Sequence, residues 1–188
     1  MVFDAWRNQA YLRALEKVIT PATTVMDLGA GLGVHGLHAA RLGAAKVLLV
    51  EPEPVIEVAR QIAAANQLHN VSCFPCRVQE LDLQEKVDVI VSVFTGNFLL
   101  TEDLLPSLFY ARDTYLAPGG RLIPDRARME VVPVMAAEYY QKHIESWRVG
   151  PGHTAGPEHQ ALNYDVVRPY AANTMYYDKR ERFNAVLM

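Results

Sequence analysis

The stretch Asp27-Leu28-Gly29-Ala30-Gly31-Leu32-Gly33 sets an acidic residue before three glycines at alternate positions. Glycines so spaced allow a tight turn and let backbone N–H groups approach a ligand at a helix N-terminus. Two chemistries compete for this loop. Gly31-Leu32-Gly33-Val34-His35-Gly36 formally matches G-x-G-x-x-G, and the acid Glu51 stands about 20 residues on, as a nicotinamide dinucleotide requires. The register speaks against that reading, because a dinucleotide fingerprint begins as its strand ends and here Asp27-Leu28-Gly29 already ends the strand. The plain alternative is that the glycines and Glu51 only make turns.

Other reactive residues offer less. Cys73 and Cys76 have Cys-x-x-Cys spacing, but they lie in an apolar strand-like run and no further cysteine completes a zinc site. His35 and His38 sit one helical turn apart without a carboxylate partner, which suits packing or a helix surface better than a metal. No metal is expected. The sequon Asn70-Val71-Ser72 is idle without a secretion signal.

The elements that must position the loop follow from periodicity. Residues 4–19 read as an amphipathic helix capped by Asp4 and stopped by Pro21. Short apolar strands are expected at 23–28, 46–50, 71–76 and 86–93, a fifth opening at Arg121 and a sixth over 129–134. Helices are expected after the glycine loop up to Gly43, and over 54–68 and 102–116, with a turn at Ala117-Pro118-Gly119-Gly120. Near-continuous apolar strands alternating with helices predict an α/β fold, a doubly wound, Rossmann-like and mostly parallel sheet. Ligand chemistry then belongs at the carboxyl ends of the strands. Residues 1–134 are read as the ligand-binding domain. Residues 135–188 form a C-terminal extension with a helix at 138–148, a Gly/Pro-rich loop at 149–157 and an aromatic remainder.

Composition narrows the class. The chain has 188 residues, 51% of them hydrophobic, which predicts one folded domain with an appendage and excludes disorder. A net charge of −3 gives no overall field for nucleic acid or an anionic membrane. No apolar run reaches the ~18 residues of a membrane span. The N-terminus lacks a basic start and a long apolar core, so no secretory signal is expected and the cytoplasm is the expected compartment.

The glycine loop with its acid resembles motif I of class I S-adenosyl-L-methionine-dependent methyltransferases, and Glu51 fits that family's ribose-binding acid. From Asp4 to about Val134 the chain resembles the cofactor domain of protein arginine N-methyltransferases. Asp4, Arg7 and Tyr11 match a D-x-x-R-x-x-x-Y entry helix, and Arg77-Val78-Gln79-Glu80 matches a K-V-E-E-like segment that contacts adenine. Leu116-Ala117-Pro118-Gly119-Gly120 and Ile123-Pro124-Asp125-Arg126-Ala127 follow the family too. The resemblance implies that Arg7, Asp27, Gly29, Gly31, Gly33, Glu51, Val78 and Gln79 bind S-adenosyl-L-methionine, with S-adenosyl-L-homocysteine as product. It implies that Arg7 holds the cofactor carboxylate and that the Gln79 carbonyl accepts from the adenine amine.

The resemblance breaks at the acceptor. In the family two glutamates of one hairpin clamp a guanidinium. Glu102 matches the second and is the candidate catalytic acid, while Val93 stands at the first. A guanidinium is always protonated and a poor nucleophile, so two carboxylates are needed to bias its charge and aim it. Valine does neither. Glu102 has a simpler reading too, as an acid favoured at a helix N-terminus. The family's tyrosine-rich helix would lie before residue 1, and most of its β-barrel and its Thr-His-Trp loop beyond residue 188. Residues 168–177 read as the approach to that barrel. No N-P-P-Y-like motif follows the fourth strand, which disfavours amide or adenine N6 methylation. The expectation is a methyltransferase that transfers methyl directly to a protein or small-molecule acceptor. The alternatives are a scaffold with little catalysis, a non-arginine acceptor and, more distantly, a dehydrogenase.

Overall fold

The computed structural model describes residues 2–94, 99–100, 103–149, 165–174 and 186–187. It divides into two compact units, Met1–Arg128 and Met129–Met188. In the first unit, helix α1 (Ala5–Glu16) starts at Asp4, whose carboxylate accepts from Arg7 N at 3.1 Å and so satisfies an end donor. Strands β1 (Thr24–Leu28), β2 (Lys46–Val50), β3 (Val71–Phe74), β4 (Val87–Ser92) and β5 (Leu116–Ile123) form one sheet in the order β3-β2-β1-β4-β5. Every pairing in that sheet is parallel. Helices α2 (Val34–Arg41), α3 (Ile56–Ala65) and α4 (Leu105–Tyr115) are the crossovers, as parallel pairing demands.

Strand alternation sends neighbouring residues to opposite faces, and each face has its own core. Val25, Val47, Leu49, Val89 and Val91 pack with Leu15, Ala39 and Ile56 on one side. Met26, Leu48, Val50, Val87 and Ile90 pack with Leu108 and Tyr115 on the other. Both faces of the central strands are buried, which is why their sequences read as unbroken apolar runs.

Some expectations change. The third strand ends at Phe74, before Pro75 and Cys76. The fifth begins at Leu116, opposite Val87, and resumes with Arg121 opposite Val89. Residues 117–120 are therefore a bulge within the strand, with Gly119 at φ +78°. Helix α4 starts at Leu105, after Asp103 turns the chain at φ +50°.

The second unit opens differently from the expected sixth strand. Residues 129–133 have no regular structure, and Val131 is 98% exposed. Val131-Val132 breaks the alternation of apolar and charged residues, and Pro133 has no N–H to give a ladder. Only Val134–Met135 (β6) pairs, antiparallel, with Val186–Leu187 (β7). The helix expected at 138–148 is continuous but contains a π-helical stretch: α5 (Ala137–Tyr140), Gln141–Glu145 and α6 (Ser146–Val149). A 3₁₀ turn at Asp165–Val167 leads into α7 (Arg168–Ala172), so the barrel approach is helical there. Most of the loop expected at 149–157 lies outside the described residues. Among the described residues no helix is long and apolar enough to cross a membrane.

Gly36 fixes how closely α2 lies on the sheet. A Cβ there would stand 2.3 Å from Leu49 Cδ2 and 3.0 Å from Asp27 Cβ, and Leu49 is fully buried, so packed neighbours would have to shift. Overpacking of this kind costs about 1–3 kcal/mol, which exceeds the roughly 1 kcal/mol a helix gains from Gly→Ala. Gly36→Ala should therefore lower stability in urea unfolding. An unchanged or raised midpoint would show that α2 stands farther off.

Candidate functional site

The carboxyl ends of β1, β2 and β4 come together where the strand order reverses, and a crevice opens beyond them. The loop from β1 to α2 passes through three left-handed glycines, Gly29 (φ +68°), Gly31 (φ +53°) and Gly33 (φ +76°). Only glycine takes this conformation without strain. A Cβ at Gly29 or Gly31 would meet nothing within 4 Å, so the backbone is open to an approaching ligand. Gly33 plays a different part: it precedes α2, and a Cβ on it would lie 2.9 Å from Leu49 Cδ1.

Glu51 directly follows β2 and is 9% exposed. Its Oε2 accepts from Gly31 N at 2.9 Å and its Oε1 from Glu53 N at 3.0 Å. Each carboxylate oxygen keeps a second lone pair. The glycine loop is thereby tied to the end of β2, and Gly29 N and Ala30 N donate to Val50 O at 2.9 and 3.2 Å.

Beside this loop lies a cleft of about 510 Å³, lined among others by Gly29, Val50, Val78, Gln79, Val93 and Ser107. That volume is in the range of a small-ligand site. Its walls are apolar where Leu28, Val50 and Leu104 face it, and Glu53, Arg77, Gln79, Asp103 and Ser107 are among its polar lining. Gln79 Nε2 donates to Ser107 Oγ at 3.1 Å. Val93 is half-buried on the cleft wall.

Asp27 and Arg7 lie elsewhere around the loop. Asp27 is fully enclosed beneath it, and its Oδ2 accepts from Gly36 N at 2.7 Å. Burial pushes its carboxyl up to about 7; the Gly36 N–H opposes the shift and the Glu51 charge adds to it. Arg7 is half-buried on α1, one turn before Tyr11, and its charge acts on both Tyr11 and His35. Tyr11 donates to Ser92 O at 3.0 Å and stacks on the His35 ring at 4.2 Å between centroids. Ser92 Oγ donates to Leu28 O at 2.8 Å, so α1, β4 and β1 are joined at one point. His35 is a packed histidine, as expected: burial lowers its pKa to about 4, and Arg7 and His38 push the same way. Glu102, the candidate catalytic acid, lies outside the described residues.

Sequence reasoning missed Ser92 and Ser107. Ser92 and Ser107 are ordinary helix- and strand-compatible residues with no motif to mark them. Gly36 was undervalued, although the third glycine of G-x-G-x-x-G is the one that serves close helix–strand packing. Cys73 and Cys76 are free; burial raises both thiols, the Arg60 charge opposing the shift at the first and the Glu80 charge adding to it at the second.

A sheet of this order with a glycine-loop crevice defines a Rossmann-like domain of the methyltransferase kind. The family described as "Ribosomal protein L11 methyltransferase (PrmA)" matches residues 8–123, and the chain belongs to it. It is also 36% identical over 150 residues to "Probable protein arginine N-methyltransferase 6.1" of Oryza sativa subsp. indica, covering 78% of this chain and 40% of that protein. To "Protein arginine N-methyltransferase 1.1" of Arabidopsis thaliana it is 36% identical over 151 residues, 78% of this chain and 39% of that one. The chain thus spans about two fifths of these relatives. Among solved structures, the Trypanosoma brucei PRMT1 enzyme–prozyme heterotetrameric complex with AdoHcy aligns over 100% of this chain and 58% of its own, with TM-score 0.81 and 27% identity. Arabidopsis thaliana protein arginine methyltransferase 10 aligns over 100% and 59%, with TM-score 0.77 and 28% identity.

Asp27 and His35 affect stability in opposite senses. Asp27 binds its proton more tightly folded (about 7) than unfolded (3.8), so its contribution falls as pH rises through that window. His35 binds its proton more weakly folded (about 4) than unfolded (6.5), so its contribution falls as pH drops from 6.5 to 4. The two slopes oppose each other between pH 4 and 6.5. Asp27→Asn should unmask a stability that rises with pH over that range, measured by urea unfolding at stepped pH. A variant whose profile parallels the unsubstituted chain would contradict the raised Asp27.

Proposed function

We propose that this chain is the cofactor-binding unit of an S-adenosylmethionine-dependent methyltransferase of the arginine-methyltransferase type. The observation that carries the reading is Glu51 held by Gly31 N, between the cleft-lining residues Val50 and Pro52, beside a cleft that the open backbone of Gly29 also lines. The residues fit the cofactor. Glu51 retains one acceptor site on each oxygen for the two ribose hydroxyls. Val50, Val78 and Leu104 provide apolar walls for a flat base, and Gln79 an amide at its rim. Arg7, on the same helix face as the anchored Tyr11, is the group we assign to the cofactor's amino-acid carboxylate.

When bound, S-adenosylmethionine supplies an electrophilic methyl on a sulfonium for direct transfer to a nucleophile. The chain's part is to bind and orient. Gly29 and Gly31 admit the cofactor close to the backbone, and Asp27 braces the start of α2 beneath it. We assign the unit Met1–Arg128 to this work and the unit Met129–Met188, rather than residues 135–188 alone, to the beginning of an acceptor domain, acting in the cytoplasm.

A second reading is favoured by Val93, an apolar residue on the cleft wall at the position of the first acid. It makes the chain a cofactor-binding partner with little arginine chemistry of its own, or an enzyme for another acceptor. The similar trypanosome structure is itself a complex of an enzyme with a prozyme.

Two measurements separate these readings. By calorimetry the chain should bind S-adenosylhomocysteine and not NAD, and Glu51→Ala should weaken binding by about 1.5–3 kcal/mol, the worth of hydrogen bonds to a charged group. NAD binding, or no loss in the variant, would overturn the cofactor assignment. Loss of one such carboxylate contact lowers transition-state stabilisation about 10–150-fold. Arginine-rich peptides should therefore gain little label from labelled cofactor, and Val93→Glu should raise it. Robust methylarginine from the unsubstituted chain, abolished by Glu102→Gln, would show that one acid suffices.

A further inference from the structure

Helices α2 and α3 pack on the same face of the sheet. Between them opens a second cavity, of about 260 Å³, which shares no lining residue with the cleft. Its walls are aliphatic: Leu32, Val34 and Leu37 from the loop and α2, Ile62 and Leu68 from α3 and the turn after it, all half-buried. Arg41 and Asn66 line it where the two helices end. Arg41 Nη2 donates to Asn66 Oδ1 at 2.7 Å, and Asn66 Nδ2 donates to Ile62 O at 2.9 Å. The second bond fixes which end of the Asn66 amide meets Arg41, so the guanidinium is held at the cavity.

Charge there is unbalanced. Arg60, Arg112, Arg126 and Arg168 each pair with an acid. Among the described residues Arg41 pairs with none, and no aspartate or glutamate lines the cavity. A guanidinium is always protonated and carries five N–H groups, of which Asn66 takes one. His38, one turn before Arg41, is the other titratable residue of the lining. The carboxyl ends of α2 and α3 bring only a partial negative charge against that full positive one. A bare anion would leave the aliphatic walls unused, and a neutral apolar molecule would leave the guanidinium unused. We propose that this cavity binds a small apolar monocarboxylate, its carbon chain along Leu37 and Ile62 and its carboxylate on Arg41. The planar fork of the guanidinium matches a carboxylate, and the volume, below that of drug-sized sites, limits the occupant to a small molecule. The site goes beyond the cofactor reading and does not depend on it.

An amide NMR titration with hexanoate tests this. Hexanoate should bind with a Kd of about 1 mM or tighter and shift resonances at residues 32–41 and 62–68. Butyrate, two methylenes shorter, should bind about tenfold more weakly. Hexanol and hexylamine should each bind about tenfold more weakly than hexanoate or worse, for want of the charge-assisted bonds. Arg41→Gln, at an exposed position, should cut hexanoate affinity about tenfold or more and leave hexanol unchanged. Butyrate binding as tightly as hexanoate would show a surface arginine holding an anion, and hexanol binding as tightly would show an apolar groove without selection; either overturns the proposal. So does hexanoate binding that survives Arg41→Gln, which places the carboxylate elsewhere, and so does no binding at all. None of these outcomes touches the cofactor reading, which S-adenosylhomocysteine binding tests separately.

Discussion

Between β1 and α2 the backbone must pass through left-handed conformation at three alternate residues, and the rest of the site depends on that constraint. Gly29, Gly31 and Gly33 satisfy it. Because the loop carries no side chain at those points, its backbone lies open at Gly29 and Gly31, and the Gly31 N–H is held by Glu51. The same turn delivers α2 so close to the sheet that Gly36 is needed where the helix crosses Asp27 and Leu49. Loop, acid and helix are therefore one geometric unit.

Charge around that unit is arranged by burial. Asp27 lies under the loop with one amide partner, in a place that favours its protonated form. His35 lies on α2 with its ring on Tyr11, in a place that favours its neutral form. Both environments are sparing of charge, while the Glu51 carboxylate holds an amide on each oxygen. Helix α1 is fastened across the same point by Tyr11 and Ser92, so Arg7 is carried by a helix tied to the end of β4. The proposed cofactor would thus meet elements already joined to one another before it binds.

The sheet was legible because its central strands are buried on both faces. Lys46-Val47-Leu48-Leu49-Val50, between Gly43 and Glu51, reads as a strand from hydrophobicity alone, and its observed limits are the same. Asp4 as a cap was legible for an equally local reason, a short acid before a periodic helix. The bulge at residues 117–120 was not, since a Pro-Gly-Gly run looks like a turn whether it joins two elements or swells one. The same limit applies at residues 129–133, where apolar residues suggested a strand but Pro133 and the broken alternation left them unpaired. In the site, Gly29, Val78 and Gln79 line the cleft, but the depth of Asp27 and the partnership of Gln79 with Ser107 depend on residues far apart in sequence. No spacing rule encodes a bond between positions 79 and 107.

The claim on which the account stands is that the crevice beside Gly29, Glu51 and Gln79 is where S-adenosylmethionine binds. Amide hydrogen exchange of the chain with and without S-adenosylhomocysteine tests it most directly. The account predicts new protection at residues 29–33, 51–53 and 77–79, and none when NAD is added instead. Protection confined to other parts of the chain, or equal protection by NAD, would contradict it.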